Sequence, residues 1–266
     1  MRTSNEVPRI NKADLDHLYA VYNSRKWVHP DPLEYLYDYP NLRDREVAGL
    51  IASSLAYGRV AQILKSVSAV LEKMGRSPYR FLESSTPASL HMAFGNFRHR
   101  FTSGEDLVIL LLGMKRIIER YGSIYSCFLS GLNNDDKTIL PAVSFLVKEL
   151  RTPLKGGCNS LLPQPEKGSA CKRLNLFLRW MVRRDQVDPG GWHKVSPNKL
   201  IVPLDTHMHR ICGLLKMTSR KNADMCTALE VTRVFGKLEP ADPVRYDFAL
   251  TRLGIRKDAD VGQLFK

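Results

Sequence analysis

Two residues of this chain have the types and settings that could carry chemistry together. Lys172 sits near the start of "GSACKRLNLFLRWMVRR" (168–184), and Asp205 interrupts "IVPLDTHMHRICGLL" (201–215). A lysine that loses its proton is a nucleophile able to form a Schiff base. A fixed carboxylate can stabilise a developing cation or accept a proton. Gly168 allows a tight turn and Ala170 is small, so a helix is predicted to begin directly behind the turn with Lys172 in its first coil. Free N–H groups and the positive dipole end make that place favourable for an anion such as phosphate. The same field, with Arg173 adjacent, disfavours the ammonium form of Lys172. The competing reading is a surface helix with a solvated basic face. Asp205 precedes a helix striped with Met208, Ile211, Cys212 and Leu215, and aspartate is among the best N-caps. Capping alone accounts for it, yet the capping bond would also hold a carboxylate rigidly.

The elements that must position these two residues are helical. Behind Lys172, Leu174, Phe177, Leu178 and Met181 fall on one face, while Lys172, Arg179 and Arg183 share the opposite one. Residues 46–74 carry apolar positions at three- and four-residue steps, with a break expected at Gly58. A helix is predicted over 105–120, capped by Ser103 with Asp106 in the capping-box position. Two shorter helices follow, in "YGSIYSCFLSGL" and "ILPAVSFLVKEL", separated by the turn at Asn133–Asp136. Loops are expected over 152–168 and 185–199, where Pro and Gly cluster. Near the end, Asp242 and Pro243 look like the start of another helix. Strand signals are scarce, so the fold class is all-α.

Composition narrows the partners. Forty Lys and Arg against 27 Asp and Glu give a net charge of +13 over 266 residues, which points toward a polyanion, nucleic acid being the commonest. A basic protein without such a partner is the alternative. The five cysteines form no C-x-x-C pair, so neither a zinc knuckle nor a disulfide framework is suggested. No metal site is expected. The longest apolar run, "LVILLLGM", is too short to span a bilayer, and the N-terminus has no apolar signal core. A monomer in the cytoplasm, associated with the nucleoid and not with a membrane, is the expectation.

Together the two segments resemble the helix-hairpin-helix DNA glycosylases, the superfamily of endonuclease III. Gly168 and Ala170 fall where that superfamily has its two hairpin glycines. "KRLNLFL" matches its Lys-x-x-Asn stretch through Lys172 and Asn175, and "LDTHMHR" its Asp-Thr-His helix through Asp205, Thr206, His207 and Arg210. The resemblance covers roughly residues 45–255. It implies a two-lobed helical fold with an active-site cleft between the lobes, Lys172 as Schiff-base nucleophile and Asp205 as essential carboxylate. It further implies a hairpin of Gly168, Ser169, Ala170 and Cys171 that grips a phosphate, aided by Arg173, Arg179 and Arg183. Tyr57 falls where the superfamily places the residue that fills the hole left by a flipped base, although an aromatic there is also consistent with core packing. Trp192, on the loop between the motifs, is a candidate to stack on the flipped base or an anchor tucked into the core, and His207 is a further pocket candidate.

The pattern departs from endonuclease III in three respects. Ala170 replaces a glycine. Asp205 follows Lys172 by 33 positions, which is longer than in that enzyme and more like the archaeal 8-oxoguanine glycosylases. No cysteine follows Cys226, so the iron–sulfur cluster of endonuclease III is not expected and no cofactor is implied. The wording around Lys172 is similar to a bacterial branch of the superfamily without an established activity. One lobe is expected over 48–184, with the hairpin at 160–184. Residues 1–47 and 185–266 form the other. The expected function is base-excision DNA repair by a glycosylase with AP lyase activity on double-stranded DNA. A non-catalytic helical DNA- or RNA-binding module is the alternative.

Overall fold

The computed structural model describes residues 10–153 and 159–255. Twelve α-helices occur there: α1 (Lys12–Tyr22), α2 (Leu42–Ser54), α3 (Val60–Met74), α4 (Pro78–Ser84), α5 (Pro87–Phe94), α6 (Gly104–Tyr121), α7 (Ile124–Ser130), α8 (Leu140–Leu150), α9 (Lys172–Val182), α10 (Thr206–Leu214), α11 (Met225–Leu238) and α12 (Asp247–Ile255). One small hairpin, β1 (Arg98–His99) and β2 (Thr102–Ser103), is the only sheet among the described residues. The all-α expectation therefore holds.

Local chemistry explains most helix ends. Gly58, at φ +99°, separates α2 from α3, a conformation open to glycine and strained for other residues. Ser103 caps α6 in a full capping box with Asp106. The end of the chain differs from expectation. Asp242 and Pro243 lie in a run of turns, and α12 begins only at Asp247. Asp242 is instead held by Arg183, whose Nε donates to it at 2.8 Å.

A single hydrophobic cluster runs from Ile10 to Leu250 and draws on nearly every helix. At its centre α9 lies along α2. Gly49 permits the approach, because even a Cβ there would sit 3.3 Å from the Phe177 ring. The predicted apolar face of α9, Leu174, Phe177, Leu178 and Met181, is buried against this layer. The N- and C-terminal segments meet, with α1 packed on α12 and Tyr246 Oη donating to Asp16 at 2.8 Å. Helix α12 also packs on α10.

Candidate active site

Lys172 and Asp205 come together. Lys172 Nζ lies 3.7 Å from Asp205 Oδ2, and both side chains are partly open to solvent, 28% and 37% respectively. The carboxylate is held by its helix. Asp205 Oδ1 accepts from His207 N at 3.0 Å and Met208 N at 2.8 Å, which leaves Oδ2 to face the amine. Capping and the amine contact therefore use different oxygens of one residue. At 3.7 Å the pair is loose, beyond a direct hydrogen bond, so the amine is not locked against a carboxylate under the surface.

The turn before α9 explains how the lysine is presented. Gly168 is left-handed at φ +81° and its N–H closes back on Pro165 O at 2.9 Å. The second left-handed residue of the turn is Cys171, at φ +47°, one position after Ala170. Cys171 N donates to Ser169 Oγ at 3.2 Å. Two of the four hairpin amides expected to grip a phosphate are thus already used within the chain. Gly168 O accepts from Met225 N at 3.1 Å, and Ser169 pairs as a β-bridge with Asp224, so the hairpin is tied to the start of α11. The Cys171 thiol is buried and pushed up to about 11 by that burial, so it is not a rival nucleophile beside Lys172.

Three arginines expected to reach DNA are engaged elsewhere. Arg173 donates to Ser54 O at 2.7 Å and to Ser160 O, and its guanidinium lies 5.0 Å from the centre of the Tyr57 ring. It thereby satisfies a carbonyl at the C-terminal end of α2, the end where the helix dipole favours a cation. Arg179 and Arg183 are buried, not solvated. Arg179 pairs with Asp188 and Asp247, and Arg183 with Asp188, Asp185 and Asp242. The surrounding carboxylates hold Arg183 firmly charged. The basic stripe of α9 therefore faces acidic groups inside the protein, because periodicity shows which residues share a face but not what lies opposite. Asp247 joins this network to the amine–carboxylate pair, being close enough to feel the charges of both Lys172 and Asp205.

Of the pocket candidates, Trp192 is a core anchor. It is fully buried, stacks on Tyr125 at 5.0 Å between ring centres, and donates from Nε1 to Glu46 Oε1 at 3.1 Å. No face is left for a base. Tyr57 is half-buried with its hydroxyl fixed against His99 O at 2.8 Å and Thr102 Oγ1 at 2.7 Å, so it supports the β-hairpin and is not free to swing into a duplex. His207 remains beside Asp205, with Nε2 buried and without a hydrogen-bond partner.

Sequence reasoning missed the β1–β2 hairpin. Its turn carries Arg100 at φ +52° and Phe101, which is 81% exposed. Arg98 and Arg100 precede Phe101 in the hairpin and are also exposed. The only available signal was the non-helical alternation of basic and aromatic residues in "FRHRF". Tyr57 ties this knob to the site, since its hydroxyl holds the hairpin and its ring lies under Arg173, the neighbour of Lys172.

These features define a mostly helical protein with a partly open lysine–aspartate pair at the meeting of two helix starts. The chain belongs to the DUF2400 family, described as a protein of unknown function, whose model matches residues 31–256. No curated protein and no solved structure matches it. Among the described residues no helix is long and apolar enough to cross a membrane.

Proposed function

We propose that this protein is a base-excision DNA glycosylase with associated AP lyase activity, on a two-lobed helical fold of the helix-hairpin-helix type whose cleft holds Lys172 and Asp205. The observation that carries the reading is the 3.7 Å approach of Lys172 Nζ to Asp205 Oδ2, both reachable from solvent. A stacked base is out of reach of such a pair, so the target nucleotide leaves the helix and enters the cleft. The Lys172 amine attacks C1′ of the sugar as the C1′–N bond breaks and the base departs with the electron pair, to be protonated from solvent. Asp205 stabilises the cationic sugar and receives the proton that the attacking amine gives up. Ring opening yields a protonated Schiff base. Loss of a C2′ proton then expels the 3′ phosphate by β-elimination. Phe101, in place of Tyr57, is the aromatic that enters the stack the nucleotide vacates. The net charge of +13 supplies attraction to the phosphate backbone.

The test is a panel of duplexes, each carrying one lesion or an abasic site, incubated with the protein and borohydride. A trapped covalent adduct and a cut strand are expected with wild type, and neither with Lys172→Gln. Absence of cleavage for every duplex, the abasic one included, with salt-dependent binding intact would assign the protein as a helical nucleic-acid-binding module.

A further inference from the structure

The phosphate-binding groups assigned from sequence are largely spent inside the protein. Arg179 and Arg183 are neutralised by buried aspartates, Arg173 is bonded to two carbonyls, and the Gly168 and Cys171 amides are occupied. A DNA-acting protein needs cations elsewhere around Lys172. The loop between α10 and α11 supplies them. Lys216 and Lys221 are exposed, as is Lys167 on the hairpin to which this loop is tied. No carboxylate pairs with any of the three among the described residues.

The loop is built to hold that charge outward. Lys216 stands at φ +55°, with its N–H on Gly213 O at 3.0 Å and the next amide on Cys212 O at 2.9 Å. This is the left-handed closing position of a helix, where glycine is usual. A lysine there accepts strain of order 1 kcal/mol. The remainder is pinned through Arg220. Its carbonyl accepts from His209 Nε2 at 2.8 Å, its N–H donates to Thr218 Oγ1 at 3.1 Å, and its guanidinium is bonded to Thr227 and Asp224. Asp224 is the residue bridged to Ser169 of the hairpin. Loop, hairpin and Lys172 therefore form one fixed unit. Lys216 lies 11 positions beyond Asp205, at the other end of the nine-residue α10, roughly 16 Å at 1.5 Å per residue, or about five base-pair steps from a sugar held in the cleft.

We infer that Lys216 and Lys221, with Lys167, form a ridge that binds backbone phosphates of duplex DNA flanking the nucleotide in the cleft. The inference rests on the DNA-acting reading above and locates its principal electrostatic attachment. Phosphates are held there without base reading, so binding at the ridge is independent of sequence.

Affinity for an intact, undamaged duplex, measured by fluorescence anisotropy across a salt series, tests it. Removing one lysine–phosphate interaction lowers the slope of log K against log salt by about 0.9, equivalent to about eightfold in affinity near 0.1 M. Lys216→Gln/Lys221→Gln is expected to flatten the slope by about 2 and weaken binding by about sixtyfold. Lys137→Gln, an exposed lysine in the α7–α8 connection, should leave the slope nearly unchanged. A double variant with the wild-type slope overturns the inference, as does an equal weakening by Lys137→Gln, which would mean diffuse charge. A wild-type protein whose duplex binding ignores salt overturns the DNA reading itself.

Discussion

Asp205 does two things with two oxygens, and substitutions separate them. Asparagine caps a helix about as well as aspartate but carries no charge, whereas alanine loses both functions. Asp205→Asn is expected to keep the wild-type melting temperature and lose at least about 10²-fold in adduct formation. Asp205→Ala should lose activity and in addition about 1 kcal/mol of stability, read from denaturant unfolding. Equal stability losses in both variants would mean that the Lys172 interaction, and not the cap, holds the helix start. Phe101 offers the converse case. With its ring almost wholly in solvent, Phe101→Ala should change stability by no more than about 0.5 kcal/mol. It should weaken binding to a lesion-containing duplex by about 1–3 kcal/mol, the scale of one base–aromatic stack. An unchanged affinity would remove Phe101 from the interface.

At the scale of elements, α9 is held by charge as well as by its apolar face. Asp188 is fully buried between Arg179 and Arg183, both themselves nearly excluded from water. Removing one partner of a buried pair leaves an uncompensated charge, at a typical cost of about 3–5 kcal/mol. Asp188→Ala is therefore expected to lower the unfolding free energy by about that amount, and Asp185→Ala by less, because that carboxylate is more exposed. Urea titrations of both variants check the order. This network could not be read from the residues of α9 alone. Lys172, Arg179 and Arg183 share a helix face by spacing, but the partners that make two of them structural come from positions 185, 188, 242 and 247.

Across the whole molecule, Glu46 links distant parts of the chain. From α2 it accepts the Ile124 and Tyr125 amides at 2.9 and 3.2 Å, capping α7, and the Trp192 indole of the long loop at 3.1 Å. Burial pushes its carboxyl up from 4.5 to about 7. A carboxyl raised in the folded state binds more protons there than when unfolded, so its contribution to stability is present at low pH. That contribution falls as pH rises from about 4.5 to about 7. At about 1.4 kcal/mol per unit the total is a few kcal/mol. Thermal melts from pH 4.5 to 8 should show this decline superimposed on other titrations in wild type, and its loss in Glu46→Gln. The glutamine variant should also be less stable at low pH, since its amide nitrogen must replace one of two accepting oxygens and face either the Trp192 indole N–H or the Ile124 and Tyr125 amides. Parallel pH profiles for the two proteins would show that Glu46 does not titrate in this range.

What the residues alone determined was local: the helical class, the break at Gly58, the capping box at Ser103, and the two helix starts that present Lys172 and Asp205. Those features depend on spacing and on bonds made within a few positions, so they are written in the nearest neighbours. Tertiary structure decided what each face meets. It brought an amine and a carboxylate 33 positions apart to within 3.7 Å. Arg179, Arg183 and Trp192 went into the interior, and an unforeseen hairpin left Phe101 in solvent. Burial and pairing are set by which distant segments pack together, and no periodicity within one helix records that.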